Sequence, residues 1–295
     1  QYLYATTNAQ HGHLVRIGYY KVQPYNEAGE GNASAILKAT PEAGKYIHLA
    51  FDENEGTTAY DEWGGYDGTF LQGASFVEGR NGGYAAKLVK SSKSYIELPK
   101  GAVSRLSDYT IATWIKITAG RGRIFDFGSG SGTFMIAAAN STGVKYKITC
   151  EKGAFDFTVP CKWTTTDWHH LVIAQKGKDM AVYFDGEEVG TAVNEKEIYP
   201  KDMGITTRNW LGRSQWSSDA YCDHIYDDFR IYNYAIEASD VTTLYEDKEI
   251  LTGITQLEDR SNGVRNEAIY DLQGRKVSHP VKGIYIQKGK KFIVK

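Results

Sequence analysis

The sequence predicts an all-β protein, and three observations carry that prediction. Glycine (31) and tyrosine (21) are abundant in a chain of 295 residues that holds only 6 prolines and 3 methionines, a composition suited to many short strands joined by tight turns. Tyr109-Thr110-Ile111-Ala112-Thr113-Trp114-Ile115-Lys116-Ile117 alternates β-branched and aromatic residues that fit a pleated, largely covered surface, which predicts a central strand. Met180-Ala181-Val182-Tyr183-Phe184 runs into Asp185-Gly186 and out through Glu187-Glu188-Val189, and Asp-Gly supplies the positive φ angles that a tight hairpin turn demands.

Three segments follow one another along the chain. In residues 1–43, Tyr19-Tyr20-Lys21-Val22-Gln23-Pro24-Tyr25 reads as a strand, Asn26 to Gly31 as an Asn/Gly turn, and residues 33–39 as a second strand. Pro41-Glu42-Ala43-Gly44 then reads as a linker. Residues 44–250 form the main domain, with His170-Leu171-Val172-Ile173-Ala174 as a further buried strand. One short helix is expected at 237–246, where Val241, Leu244 and Tyr245 have helical spacing behind a weak Glu237 cap. Residues 251–295 predict short strands at 267–272, 283–287 and 291–294, separated by turns at Gln273-Gly274 and Lys288-Gly289.

A formal charge of −2 gives no bulk attraction to polyanions, so nucleic acid and anionic membrane surfaces are not expected partners. No run approaches the ~18 apolar residues of a membrane span. No amino-terminal signal peptide is visible, and Gln1 reads as a position within a longer chain. Cys150, Cys161 and Cys222 are too few for a disulfide scaffold and do not fix the redox compartment. With Lys152-Gly153 as a tight turn, Cys150 faces Phe155 and Cys161 lies roughly 20 Å further along. A Cys150–Cys161 bridge needs a different register, and the sequence leaves it open.

Seven landmarks in order carry a resemblance. They are Leu49-Ala50-Phe51-Asp52-Glu53-Asn54-Glu55-Gly56-Thr57-Thr58-Ala59, Tyr66-Asp67-Gly68-Thr69, Asp108-Tyr109-Thr110-Ile111-Ala112-Thr113-Trp114-Ile115, Asp167-Trp168-His169-His170-Leu171, Tyr183-Phe184-Asp185-Gly186, Leu211-Gly212-Arg213-Ser214, and Ile225-Tyr226-Asp227-Asp228-Phe229-Arg230-Ile231-Tyr232-Asn233. Together they resemble the laminin G-like, concanavalin-type jelly roll appended to many secreted bacterial glycoside hydrolases. That likeness implies a β-sandwich, a glycan or polysaccharide partner, and a catalytic domain elsewhere in the same parent protein. Tyr19 to Gly31 resembles the last strands of a fibronectin type III domain, of which residues 1–43 would be the second half. Tyr270-Asp271-Leu272-Gln273-Gly274-Arg275-Lys276-Val277 and Lys282-Gly283-Ile284-Tyr285-Ile286 resemble a carboxy-terminal sorting domain of type IX secretion, which implies a secreted or surface-held protein.

The jelly-roll likeness further implies a structural calcium, carried over onto Asp52, Asn54, Asp67, Thr69, Asp227 and Asp228; calcium takes six to eight oxygen ligands, which clustered Asp side chains and loop carbonyls supply. The alternative is that Asp52 and Asp228 cap turns through backbone hydrogen bonds. Sugar recognition needs an exposed aromatic face with fixed polar groups beside it. Trp63, Tyr66, Trp210, Trp216 and Tyr221 lie in Gly-, Ser- and Asp-rich loops, with Arg213 and Asp219 near the last three, and form the candidate site. The alternative is that these rings plug the ends of the sandwich. Trp114 and Trp168 are assigned to the core.

His169-His170 cannot chelate one ion together, because adjacent strand residues point to opposite faces. Asp223-His224 beside Asp227-Asp228 invites a catalytic reading, yet the Glu-x-Asp-x-x-Glu string of retaining glycosidases on this scaffold does not occur. The expected function is a non-catalytic carbohydrate-binding or spacer module. The alternatives are a glycoside hydrolase or lyase using Asp223, Asp227 or Asp228, and a protein-binding adhesion domain.

Overall fold

The computed structural model describes residues 44–119, 122–248 and 250, and beyond these only the backbone of short flanking strands. The chain divides into two compact units, Gln1–Thr252 and Gly253–Lys295. In the first, β1 (Gly18–Tyr20) pairs antiparallel with β4 (Leu37–Ala39), and β2 (Tyr25–Asn26) with β3 (Gly29–Glu30). The remainder of the strand expected at 33–39 and the linker at 41–43 lie outside the described residues.

The sandwich strands follow: β5 (Lys45–Leu49), β6 (Thr58–Ala59), β7 (Gly68–Leu71), β8 (Ser75–Glu78), β9 (Tyr84–Lys87), β10 (Tyr95–Leu98), β11 (Tyr109–Ala119), β12 (Arg123–Gly130), β13 (Thr133–Ala139), β14 (Gly143–Cys150), β15 (Gly153–Pro160), β16 (His169–Lys176), β17 (Asp179–Phe184), β18 (Glu187–Val193), β19 (Arg208–Leu211) and β20 (Asp223–Tyr232). They form two antiparallel sheets. The first runs β15-β14-β13-β12-β19-β10-β7-β6, and the second runs β18-β17-β16-β11-β20-β9-β8, with β5 also paired to β20. The architecture is thus the two-layered all-β sandwich expected of a jelly roll.

Alternation sorts each strand between the core and the outside. Ile96 pairs with Leu211, which pairs with Phe125, and all three are buried in the core. They meet Ile111, Ile115, Leu171, Ile173 and Phe229 from the opposite sheet. Burying each such side chain is worth ~1.5–3 kcal/mol, so this interleaved layer is the main source of stability. Tyr226 reaches across from β20 and donates to the Ile124 carbonyl of the first sheet at 2.8 Å, so its buried hydroxyl is satisfied by the facing layer.

Helix α1 (Ala238–Tyr245) covers the outer surface of the second sheet, burying Val241 and Leu244 among Ala112, Val172, Tyr183 and Tyr232. It matches the expected 237–246 span. The Glu237 cap is reinforced by Asp240, whose Oδ2 accepts from the Glu237 amide at 3.4 Å. Just beyond the helix, Asp247 takes both Arg80 guanidinium nitrogens at 2.8 and 2.9 Å, while that guanidinium lies 3.3 Å from the centre of the Trp114 ring.

Two sequence expectations need correction, the turn of the β14–β15 hairpin and the burial of Trp168, and one question left open, the Cys150–Cys161 bridge, is answered. Cys150 pairs with Gly153 and Ile148 with Phe155, so the hairpin turns on Glu151-Lys152 rather than Lys152-Gly153. This register keeps Val144, Tyr146, Ile148 and Cys150 on the core side. All three cysteines are free thiols; Gly143, not Cys150, pairs with Pro160, so Cys150 and Cys161 sit at opposite ends of the hairpin and no bridge joins them. Trp168 is only half-buried, because it precedes the first residue of β16 instead of lying within it. Trp163 packs against the core in its neighbourhood, donating from Nε1 to the Gly143 carbonyl at 3.0 Å.

In the second unit, β21 (Ile269–Asp271), β22 (Lys276–Val277), β23 (Gly283–Gln287) and β24 (Lys290–Val294) form an antiparallel sheet in the order β22-β21-β23-β24. The turns expected at 273–274 and 288–289 lie outside the described residues.

Two buried histidines make the sandwich acid-sensitive. Burial pushes His170 down to about 4 and His224 down to about 3. Both rings stay neutral in the folded chain, whereas unfolded imidazoles take up protons near ~6.5. Their contribution is complete above that value and is lost as the pH falls through it toward the folded values. Denaturant midpoints are expected to drop between about pH 7.5 and 5, and His170→Gln should flatten that drop; an equal drop in the variant would show that His170 is not responsible.

Candidate functional site

The outer face of the first sheet is the mirror of its core face. Between the buried positions of β10, β19 and β12, register places Glu97, Trp210 and Asp126 side by side, continued by Ile136 on β13 and Lys147 on β14. Tyr95 lies two residues from Glu97 on the same face. Trp210 Nε1 donates to Glu97 Oε1 at 2.8 Å. The Arg213 guanidinium spreads over two rings at once, 4.1 Å from the centre of Trp210 and 4.4 Å from that of Tyr95. Tyr95 packs edge-on against Trp210 at 5.9 Å, and Tyr221 joins it at 6.5 Å.

Gly212 launches the loop that carries these groups. Its φ is +77°, and a Cβ there would lie 2.1 Å from Leu88 Cδ1, so both backbone conformation and space call for glycine. The loop then folds onto the sheet through polar contacts. The Gln215 amide donates to Asp126 Oδ2 at 3.0 Å, Ser214 Oγ donates to Asp219 Oδ2 at 2.7 Å, and the Trp216 amide donates to Ser214 Oγ at 3.1 Å. Arg123 clamps the assembly, donating from Nε to Asp126 at 3.1 Å and from Nη2 to Asp219 at 2.9 Å. Burial drives the Asp126 carboxyl up to about 6, against the pull of the Gln215 amide and Arg123. Trp216 meets Phe134 of β13 edge-on at 4.8 Å, with Arg123 5.5 Å from its ring centre.

Four of the six sugar-site candidates therefore share one surface: Trp210, Arg213, Trp216 and Tyr221. Trp210 is 5 % exposed and serves as the floor on which Arg213 lies, whereas Arg213, Trp216 and Tyr221 are half-buried and offer surface. Trp63 and Tyr66 lie elsewhere. Trp63 is packed between His48 at 4.7 Å and Tyr232 at 5.2 Å on the outer side of the second sheet, and Tyr66 is tied by its hydroxyl to Tyr46 at 3.0 Å. Sequence reasoning missed Tyr95, Glu97, Arg123, Asp126 and Phe134; the strand alternation that puts Glu97 opposite Trp210 was the signal available for them.

The residues carried over for calcium do not gather in one place. Asp52 Oδ1 accepts from the Tyr84 amide at 2.7 Å, and Asp227 Oδ2 from the Arg80 amide at 2.9 Å. Asp227 is pushed up to about 7 by burial and by the neighbouring charges of Asp228 and Asp52. Asp228 is held down to about 2: burial opposes its charge, but His48 at 2.5 Å and Arg230 at 2.8 Å outweigh it. Asp67 accepts from the Asp61 amide at 2.9 Å, Asn54 is exposed with φ +59°, and Thr69 pairs with Glu97 in the first sheet. Among the described residues no three His, Cys, Asp or Glu side chains are grouped to hold a metal ion. Of these carboxylates, Asp52 and Asp228 are the ones whose charge reaches Asp227.

His169 and His170 diverge as adjacent strand residues must: His169 Nδ1 pairs with Asp185 at 2.8 Å, while the His170 ring lies tilted against Trp114, centre to centre 4.9 Å. Asp223 Oδ1 accepts from the Lys90 amide at 2.8 Å.

The fold and this loop-bearing face define a β-sandwich of the concanavalin type. Residues 90–242, just over half of the chain, match the family model described as the concanavalin A-like lectin/glucanases superfamily, a laminin G type, and the chain belongs to that family. Among solved structures, it is similar to domain 4 of a GH43 extracellular arabinanase from Geobacillus stearothermophilus, determined with arabinotriose, at 24% identity and TM-score 0.57 over 69% of this chain and 100% of that one. It is also similar to the binding domain of Paraclostridial Mosquitocidal Protein 1, at 16% identity and TM-score 0.54 over 69% of this chain and 52% of that one. The binding domain of botulinum neurotoxin DC, in complex with rat synaptotagmin II, matches at 11% identity and TM-score 0.53 over 79% of this chain and 55% of that one. At these identities the likeness is one of fold. No curated protein matches in sequence. Among the described residues, no helix is long and apolar enough to cross a membrane.

Floor and rim of the site should separate by mutation. Trp210→Ala removes a nearly buried ring, its hydrogen bond and two stacking partners, and is expected to cost roughly 3–5 kcal/mol of stability. Trp216→Ala should cost less than about 1.5 kcal/mol, as a half-buried position does. Equal losses in chemical denaturation would contradict this division.

Proposed function

We propose that this chain is a non-catalytic carbohydrate-binding module of a larger secreted polysaccharide-degrading protein, with its ligand on the outer face of the first sheet. One observation carries the reading: Arg213, Trp216 and Tyr221, half-buried, converge beside Trp210 on a sheet face, in a chain of a lectin and glucanase superfamily. The arabinanase domain of like fold, determined with arabinotriose, supports it. Sugar rings would lie with their axial C–H bonds against Trp216 and Tyr221, while Arg213 and Asp219 offer hydrogen bonds to hydroxyls. Millimolar-to-micromolar affinity suffices, because a tethered catalytic domain gains effective concentration without a new contact. The fibronectin-like strands before residue 44 and the sorting-like segment after residue 250 fit such a parent protein and its export.

Calcium enters as a structural ion held by Asp52 and Asp227 with main-chain oxygens of the adjoining loops, adding rigidity there and no chemistry. Two other readings have an observation behind them. The toxin-like binding domain, determined with synaptotagmin II, favours a protein-binding role. The split between Asp227 near 7 and Asp228 near 2 is the kind of carboxylate pair a hydrolase uses.

A glycan array and polysaccharide pull-down decide between them. Binding to at least one glycan, lost on Trp216→Ala in a folded protein, is the expected result; a uniformly blank array would favour the protein-binding role, and polysaccharide turnover lost in Asp227→Asn would favour the enzyme. Calcium added after chelation should raise the thermal midpoint of the wild type and not of Asp52→Asn. An unchanged midpoint would leave Asp52 and Asp227 as hydrogen-bond acceptors only.

A further inference from the structure

The proposed binding face gathers five cations, Arg123, Lys145, Lys147, Arg208 and Arg213, against four carboxylates, a small positive surplus in a chain of formal charge −2. Each carboxylate already accepts from a neighbouring side chain. Glu97 accepts from Trp210, Asp126 and Asp219 are shared by Arg123, and Asp156 faces Lys145 at 3.5 Å. Three cations on the same face make no ion pair within 4 Å among the described residues: Lys147, Arg208 and Arg213; Asp156, the residue opposite Lys147 in the β14–β15 ladder, leans to Lys145 instead. Arg213 lies flat on aromatic rings, and Lys147 Nζ stands 5.8 Å from the centre of the Phe134 ring. Arg208 is exposed, two residues from Trp210 on β19 and therefore ~7 Å along the same face. Register puts Arg208 opposite Gly128, whose other neighbour is Phe134, so the Phe134–Trp216 pair lies between Lys147 and Arg208.

Cations that make no internal ion pair, arranged around aromatic side chains, suit a ligand that brings both sugar rings and negative charge. Arginine presents a planar fork that matches a carboxylate or sulfate through two parallel hydrogen bonds, and lysine a mobile point charge. The overall charge of −2 argues against a polyanion only for the molecule as a whole; within a screening length of ~8–10 Å the local surplus governs.

Resting on the carbohydrate reading above, we infer that the ligand of this face is an anionic polysaccharide, its acidic groups met by Lys147, Arg208 and Arg213 and its rings by Trp216 and Tyr221, with the buried Phe134 supporting Trp216 from below. Carboxylate and sulfate share this chemistry. A uronate chain and a sulfated chain are therefore the two sources to separate.

The test uses the whole chain in affinity electrophoresis and calorimetry with four probes: polygalacturonate, its methyl ester, dextran sulfate and neutral arabinan. Binding to an acidic probe is expected to exceed that to arabinan by tenfold or more, to weaken as sodium chloride rises to about 0.5 M, and to fall about tenfold in the double variant Lys147→Ala/Arg208→Ala. Polygalacturonate bound in preference to its methyl ester identifies a uronate ligand; dextran sulfate bound without polygalacturonate identifies a sulfated one. Arabinan bound as tightly as the acidic probes, or acidic binding untouched by the double variant, overturns the inference while leaving a carbohydrate module standing. Binding of no probe, or binding of any kind that survives Trp216→Ala, overturns the site itself.

Discussion

The structure depends on strand β20. Its ten residues are hydrogen-bonded along both edges, to β11 on one side and to β9 and then β5 on the other, so the first and last strands of the sandwich are held by a single ladder. Its inward side chains are core: Tyr226, Phe229 and Ile231 are fully buried. Phe229 meets Phe127 of the facing sheet edge-on at 6.4 Å, and Tyr226 hydrogen-bonds across the layer. Its outward residues pair with charges brought from other strands, as Asp228 does with His48 of β5. Remove this strand and both the closure between sheets and the anchor of the loop before it are lost.

That dependence explains what the sequence revealed. Strands whose buried faces alternate cleanly, such as β11 and β17, were readable from residues alone, because period-two patterning and the Asp185-Gly186 turn are local. The β14–β15 hairpin was read one residue out. Lys152-Gly153 looks like a turn, but register is decided by Tyr146 and Ile148 reaching the core, which a local reading does not weigh. Trp168 misled for the same reason: one position of strand boundary separates a core ring from a half-exposed one.

The site divides along similar lines. Trp210, Arg213, Trp216 and Tyr221 are near one another in sequence; Trp210 proved to be a residue of β19, and the loop that leaves this strand carries the other three over it. Trp63 and Tyr66 looked equally loop-borne, yet Trp63 fills a second apolar cluster between His48 and Tyr232. Composition cannot distinguish a ring that plugs from a ring that waits. Glu97, Arg123 and Asp126 were invisible because their roles come from cross-strand neighbours brought together only by folding.

The loop of residues 212–222 leaves one sheet at β19 and enters the other at β20. A force applied at Trp216 would therefore pass into both sheets, through β19 on one side and β20 on the other. A load taken up at this seam would thus be shared by the two layers and would not fall on one strand alone.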